Sequence, residues 1–250
     1  MIATIAMREL RGMFLSPLAW AIFVVVQVIL AFMFLSNIEQ YLILQPQLLA
    51  IDNAPGVTEL IVGRLFGSAA IVLLLVVPLL TMRLISEERR NRTLSLLFSA
   101  PISMTEIVLG KYLGALAFVG LLLALIALMP LSLFAVANLD VGILLSSLLG
   151  LGLLLAGFIA VGLFMSTLTQ YPAVASVTTF GVLLLFWLLD WSGAGSSENG
   201  NVLAYLSSLR HYEPFLRGVF DSADAVYHVL FIATFLLLSI HRLDVDRLRG

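Results

Sequence analysis

The chain has no cysteine and, across its 250 residues, very little charge. The missing thiols exclude disulfides, thiolate metal sites and cysteine catalysis. Only 11% of the residues are Asp, Glu, Lys or Arg, against about 25% in soluble domains. That is too little polar surface to cover a water-facing globule. The three histidines stand apart, with no HExxH and no ligand cluster, so nothing marks a metal centre. A formal net charge of −2 gives no basis for binding nucleic acid. A nucleotide site is missing too: the single Gly-Lys pair, Gly110-Lys111, lacks the upstream glycine and the following Ser/Thr of a P-loop. Cofactors, metals and catalytic residues are accordingly all expected to be absent.

What the chain does have is apolar length. Of its residues 61% are hydrophobic, and the mean hydropathy is +1.10. Continuous apolar runs reach the roughly 20 residues that a helix needs to cross about 30 Å of hydrocarbon. A transmembrane β-barrel would instead show alternating segments of about ten residues. The expected fold is therefore all-α and polytopic, with six spans near 18–37, 65–85, 106–135, 142–168, 173–191 and 223–241. Glu9 among the basic residues, and the absence of an A-x-A site after the run from Leu18 to Leu35, identify the N-terminus as retained rather than a cleaved signal. No acid or base lies deep in any span; Arg64, Arg83, Lys111 and Asp190 all fall near ends. Ion-coupled pumps and proton relays rely on intramembrane charge, so the energy source is expected elsewhere. A path lined by Leu, Val, Ala and Phe suits a lipid-linked or amphipathic substrate.

Ten of the 13 Lys/Arg residues fall at the two termini and between spans two and three, leaving Arg64, Arg210 and Arg217 on the other side. Basic excess marks the cytoplasmic face, which places both termini inside. "TQYP" reads as a tight cytoplasmic turn closed by Pro172, and about 38–64 as an irregular external loop with a helical piece. The external segment 192–222 begins as a Gly/Ser loop and turns amphipathic, fitting short helices ahead of span six. Without a tandem repeat or a low-complexity tract, 1–250 reads as one transmembrane domain.

The loop 83–111 holds eight of the 28 charged residues (13 basic, 15 acidic). Glu87 and Glu88 precede Arg89, Arg90 and Arg92, an order that suits a helix dipole. Leu94, Leu97, Phe98 and Pro101 then recur at i, i+3, i+4 and i+7, one face of a short helix. Ser103-x-x-Glu106 is a capping box that opens the next helix. Topogenic loops need only charge. An apolar face of Leu96, Leu97 and Phe98 rimmed by ions suggests a docking site for a soluble partner. At the N-terminus, Ile2, Ala6, Leu10 and Met13 line one helical face and Thr4, Arg8 and Arg11 another, as expected of an interfacial helix in contact with membrane lipid. Small residues recur every fourth position at Gly152, Ala156 and Ala160, and at Gly110 and Gly114. Such rows allow close helix packing, within one protomer or across a dimer.

"ISEERRNRTLSLLFSAPISMTEIVLGKYLGA" resembles the first cytoplasmic loop of ABC-2 type transporter permeases. Glu87, Glu88, Thr93, Leu96, Leu97, Pro101, Ser103, Gly110 and Lys111 match that pattern, whereas Arg92 stands where the family usually has Gly and Ser95 where it often has Glu. The C-terminal stretch is similar to the branch named for gliding-associated systems, through His211, Phe215, Arg217, Gly218, Val219, Asp221, Asp224 and Tyr227. With the six-span layout, the resemblance covers nearly the whole chain. It implies a coupling helix within residues 86–102 that seats in a cytosolic ABC ATPase dimer, and an elbow helix over residues 1–16. It implies a second permease chain, identical or different, since six spans are half of the family's membrane core. ATP and magnesium would be bound by the ATPase partner. An accessory protein with an external domain is a further implied partner, and His211, Glu213, Phe215, Arg217 and Asp221 are candidates for external contacts.

Two other functions compete. An intramembrane serine protease would use Ser146, Ser147 or Ser166 with His228, although no G-x-S-G surrounds those serines. A passive membrane scaffold would need no coupling helix at all.

Overall fold

In the computed structural model the described residues are 1–48, 56–93, 102–135, 139–193 and 205–249, and no strand occurs among them. Among the described residues six helices are long and apolar enough to cross a bilayer, so the chain is an all-α polytopic membrane protein.

Helix α1 spans Ile2–Leu15 and breaks at Ser16, whose backbone is extended. Helix α2 spans Pro17–Leu48; a proline at the first helical position loses no hydrogen bond. It was expected to end near residue 37 but continues through Asn37, Glu39 and Gln40, since polar side chains leaving the bilayer do not break a helix. A π-helical turn, Thr58–Gly63, leads into α3, Arg64–Thr81. Pro78 removes one backbone donor from the last turn of α3, where Thr81 Oγ1 donates to the Val77 carbonyl at 2.9 Å. The short α4, Ser86–Arg90, follows.

Helix α5, Met104–Ser132, starts at the capping box expected for it. Ser103 Oγ accepts from Glu106 N at 3.2 Å, and Glu106 Oε2 accepts from Ser103 N at 3.1 Å. A 3₁₀ turn, Leu133–Ala135, ends this segment. Helix α6, Val141–Leu168, is capped by Asp140, whose Oδ1 accepts from Gly142 N at 2.7 Å. A three-residue turn separates it from α7, Pro172–Gly193. The one-turn α8, Glu213–Leu216, precedes α9, Ser222–Arg249. This last helix also outruns its apolar stretch, continuing past 241 into a charged end.

Helix α6 is the centre of the bundle: 67% of its most apolar window is buried, against 17% for α7 and 22% for α9. The latter two helices therefore present their apolar faces to lipid or to another chain. Two close approaches position the rest. A Cβ on Gly162 of α6 would lie 2.6 Å from Cβ of Thr81, which brings α3 against α6 nearly backbone to backbone. A Cβ on Gly110 of α5 would lie 2.7 Å from Cβ of Ile5, and one on Gly114 would lie 2.9 Å from the Ala6 carbonyl oxygen. Gly110 and Gly114 thus form the seat of α1.

Candidate functional site

The link from α3 to α4 is held by one hydroxyl. Ser166 Oγ, near the end of α6, accepts from both Ile85 N and Ser86 N at 2.9 Å and donates to the Met82 carbonyl at 3.2 Å. Ser86 Oγ donates back to the Met82 carbonyl. This corner is buried, so α4 leaves the bundle in a fixed direction.

Ion pairs then tie α4 to three distant parts of the chain. Lys111, 1% exposed on α5, places Nζ 2.8 Å from Glu88 Oε1 and 3.1 Å from Glu9 Oε2 of α1. Arg8 reaches the same Glu88 oxygen at 3.9 Å. Two carboxylates around one buried ammonium, with a guanidinium behind, leave no uncompensated charge in the cluster. Arg89 is ion-paired with Asp246 near the end of α9, and Arg242 joins that carboxylate at 3.5 Å. Glu88 Oε2 and the Nε atoms of Arg89 and Arg242 are buried without hydrogen-bond partners among the described residues. The short loop stem thereby joins the ends of α1, α5 and α9.

The stem ends in a defined stop. Arg92 has φ +57°, Thr93 N donates to the Glu88 carbonyl at 3.0 Å and Arg92 N donates to the Arg89 carbonyl at 3.3 Å. That pair of bonds is a Schellman closure with Arg92 at the left-handed position that glycine usually takes. Glu87, Arg90, Arg92 and Thr93 are exposed beside the paired Glu88 and Arg89. Leu94, Leu96, Leu97, Phe98 and Pro101, the expected docking face, lie outside the described residues.

In α1 the apolar face expected to meet lipid instead leans on α5, with Ile5 buried and Ile2, Ala6, Leu10 and Met13 partly covered. Arg8 and Arg11 remain exposed, and Glu9 turns inward to Lys111.

At the opposite end of the bundle the external candidates separate. His211 is 4% exposed. Its Nδ1 lies 2.6 Å from Asp224 Oδ1, its Nε2 lies 2.8 Å from the Tyr205 carbonyl, and its ring stacks on Tyr227 at 4.0 Å. Phe215 is fully buried under α6, where a Cβ on Gly150 would lie 2.5 Å from its own Cβ. Glu213 and Arg217 pair with each other at 3.7 Å and are exposed. Asp221 Oδ1 accepts from Ala223 N at 2.9 Å, at the start of α9. Tyr212, also fully buried, donates to the Phe66 carbonyl at 3.0 Å, and burial pushes its phenol up.

Of the small-residue row, Ala156 and Ala160 are buried, and a Cβ on Gly152 would make ordinary contact, 3.6 Å, with Leu123 of α5 in the same chain. Tyr112 of α5 donates to the Ala156 carbonyl at 3.2 Å. Among the serines weighed as nucleophiles, Ser166 is committed to the α3–α4 corner and Ser147 donates to the Phe215 carbonyl at 3.3 Å. Ser146 Oγ and His228 Nε2 are buried without hydrogen-bond partners among the described residues.

Lys111, Arg242 and Asp246 were not among the sequence candidates for coupling. For Lys111 a signal existed: a lone lysine between two glycines at the start of a span, with a lone acid in the elbow. For Asp246 only its place in a helix past the last span hinted at a role.

A family model described as ABC-2 family transporter protein matches residues 3–243. No curated protein matches the chain. With six spans, both ends gathered on one face and a family match over almost its full length, the chain belongs to the ABC-2 transporter family, as a membrane-spanning permease subunit.

Proposed function

We propose that the chain couples ATP hydrolysis by a separate cytosolic ATPase dimer to export of a lipid-linked or amphipathic substrate, or to movement passed to an external partner. The observation that carries this reading is the ionic attachment of α4. A force applied to the loop beyond it is delivered through Glu88 to α1 and α5, and through Arg89 to the end of α9. A loop serving topology alone has no need of such bracing.

In this reading residues 1–250 are one transmembrane domain, and 94–101 form the plug that enters the ATPase. ATP and magnesium are held by that partner, and a second permease chain completes the membrane core. The basic face is cytoplasmic, in a bacterial plasma membrane. The gliding-associated branch rests on the string from His211 to Tyr227, and an accessory protein would meet the exposed Glu213 and Arg217.

The test is co-purification of a cytosolic ABC ATPase with the permease from the cells in which it naturally occurs. Leu97→Asp and Glu88→Arg should each abolish ATPase recovery while membrane insertion persists. Undiminished recovery with both variants, or labelling of 94–101 from outside the cell, would reject the reading.

A further inference from the structure

A cleft of about 230 Å³ opens where α1, α2, α3 and α4 meet, on the face that carries both termini. Drug-sized ligand pockets run from about 300 to 1,000 Å³, so this one has room for a headgroup rather than a whole lipid. Its apolar wall includes Leu18 at the start of the first span and Leu79 near the end of the second; both are more than a third exposed. The cleft therefore sits at the level where hydrocarbon gives way to the polar surface.

Its rim carries charge that has no ionic partner among the described residues. Arg83 and Glu87 both line the cleft and are exposed, and neither makes an ion pair among the described residues. The adjacent Glu88, Arg89 and Lys111 are all paired. Glu9 also lines the cleft, with one carboxylate oxygen turned to Lys111. The α1 wall has a missing side chain: a Cβ on Gly12 would meet nothing within 4 Å. Glycine in a helix interior costs about 1 kcal/mol relative to alanine, and the space beside Gly12 gives that cost a use.

The geometry points to a binding site for a phospholipid whose headgroup carries both a phosphate and a primary ammonium. The guanidinium of Arg83 would take the phosphate through paired charge-assisted hydrogen bonds. Glu87, with Glu9 behind it, would accept from the ammonium, and the acyl chains would run along Leu18 and Leu79. A purely anionic headgroup would find one cation in the lining, Arg83, with the unpaired carboxylate of Glu87 beside it. A choline headgroup has no N–H to donate to them. A lipid held here would bridge α1 to the α4 stem, bracing the loop from the membrane side. The site does not depend on the transported substrate or on the ATPase.

The experiment uses the full chain in nanodiscs of equal parts phosphatidylethanolamine, phosphatidylglycerol and phosphatidylcholine, with bound lipid read by native mass spectrometry. The expected result is one phosphatidylethanolamine retained per chain in preference to the other two. Arg83→Gln and Gly12→Leu should each reduce that retention by about tenfold, the equivalent of one lost charge-assisted contact. A Cβ at position 12 meets no atom within 4 Å and leucine has the better helix propensity, so the thermal unfolding of Gly12→Leu should not fall below the parent's and separates lost binding from lost folding. Equal retention of all three lipids, or retention that both variants leave unchanged, would overturn the site. Preferential retention of phosphatidylglycerol, strengthened by Glu87→Gln, would overturn the assigned headgroup.

Discussion

Glu88 Oε1 lies 2.8 Å from Nζ of Lys111, although 23 positions separate the two residues. The contact joins α4 to the third span at a site where the lysine is almost wholly buried. Glu9 supplies a second carboxylate to the same ammonium, so removing the cation would leave two acids facing each other.

Lys111→Met should therefore destabilise far more than a surface charge change. Breaking a fully buried pair from one side costs about 3–5 kcal/mol. The two carboxylates here are each 19% exposed, and water reaching them lowers the expected loss to about 2–3 kcal/mol. In a chain of this size that corresponds to a fall in Tm of about 5–10 °C, measurable by scanning fluorimetry in detergent. Adding Glu9→Gln to Lys111→Met should recover part of the loss. A variant that melted within a degree of the parent would show that the cluster contributes nothing.

The pairing of Arg89 with Asp246 makes a second prediction, by reversal of charge. Arg89→Asp and Asp246→Arg should each loosen the end of α9, and the second should do so more, since Arg242 would then face a like charge. Combining them should rebuild an ion pair in the opposite sense. A coupling energy of about 1–2 kcal/mol is expected from a double-mutant cycle on contacting residues. Limited proteolysis of α9 by chymotrypsin reports it, since Asp246→Arg would add a site for trypsin: the single variants should be cut faster than the parent and the double variant more slowly than Asp246→Arg. Additive effects of the two changes would show that the contact is not made.

Much of this architecture is legible in the chain. Apolar runs give the six spans, Ser103 and Glu106 give the start of α5, and Pro172 gives the start of α7. The ends of α2 and α9 are not legible, because hydropathy locates the membrane and not the end of a helix. Charged residues such as Asp244 and Asp246 continue the last helix in water. The fit of Lys111 between Glu9 and Glu88 is invisible to any local pattern, since each partner lies in a different element. Gly110 and Gly114 read as a packing row, yet only the fold shows that the helix they receive is α1. His211 was a candidate for external contact; its neighbours Asp224 and Tyr227 turn it inward, an arrangement that depends on how the outer segment folds onto α9.

Arg92 supports a prediction about the backbone rather than the side chain. A left-handed conformation costs an L-residue about 1–2 kcal/mol and costs glycine nothing comparable. Arg92→Gly and Arg92→Val both remove whatever the arginine side chain touches, so their difference isolates the conformational cost at φ +57°. The valine variant should be the less stable by about 1–2 kcal/mol, and α4 should fray. Hydrogen exchange of the Thr93 amide, which closes the stem on the Glu88 carbonyl, is the direct readout. Exchange should be faster in Arg92→Val and at least as slow as in the parent in Arg92→Gly. Equal exchange in the two variants would exclude the left-handed stop.

The crossing of α3 and α6 can be tested by one methyl group. In Gly162→Ala the new Cβ would lie 2.6 Å from Cβ of Thr81, and Thr81 cannot rotate away because its Oγ1 is bonded to the Val77 carbonyl in a fully buried site. The helices must separate, and overpacking of this kind costs about 1–3 kcal/mol. The damage should extend to the α3–α4 corner, because Ser166 lies one turn further along α6 and holds Ile85 and Ser86. Gly181→Ala in α7 is the matched control: its Cβ would meet nothing within 4 Å, so the better helix propensity should leave stability unchanged or slightly raised. Gly162→Ala should lower Tm and also weaken ATPase recovery, whereas Gly181→Ala should do neither. Equal behaviour of the two alanine variants would mean that α3 and α6 do not cross at Thr81 and Gly162.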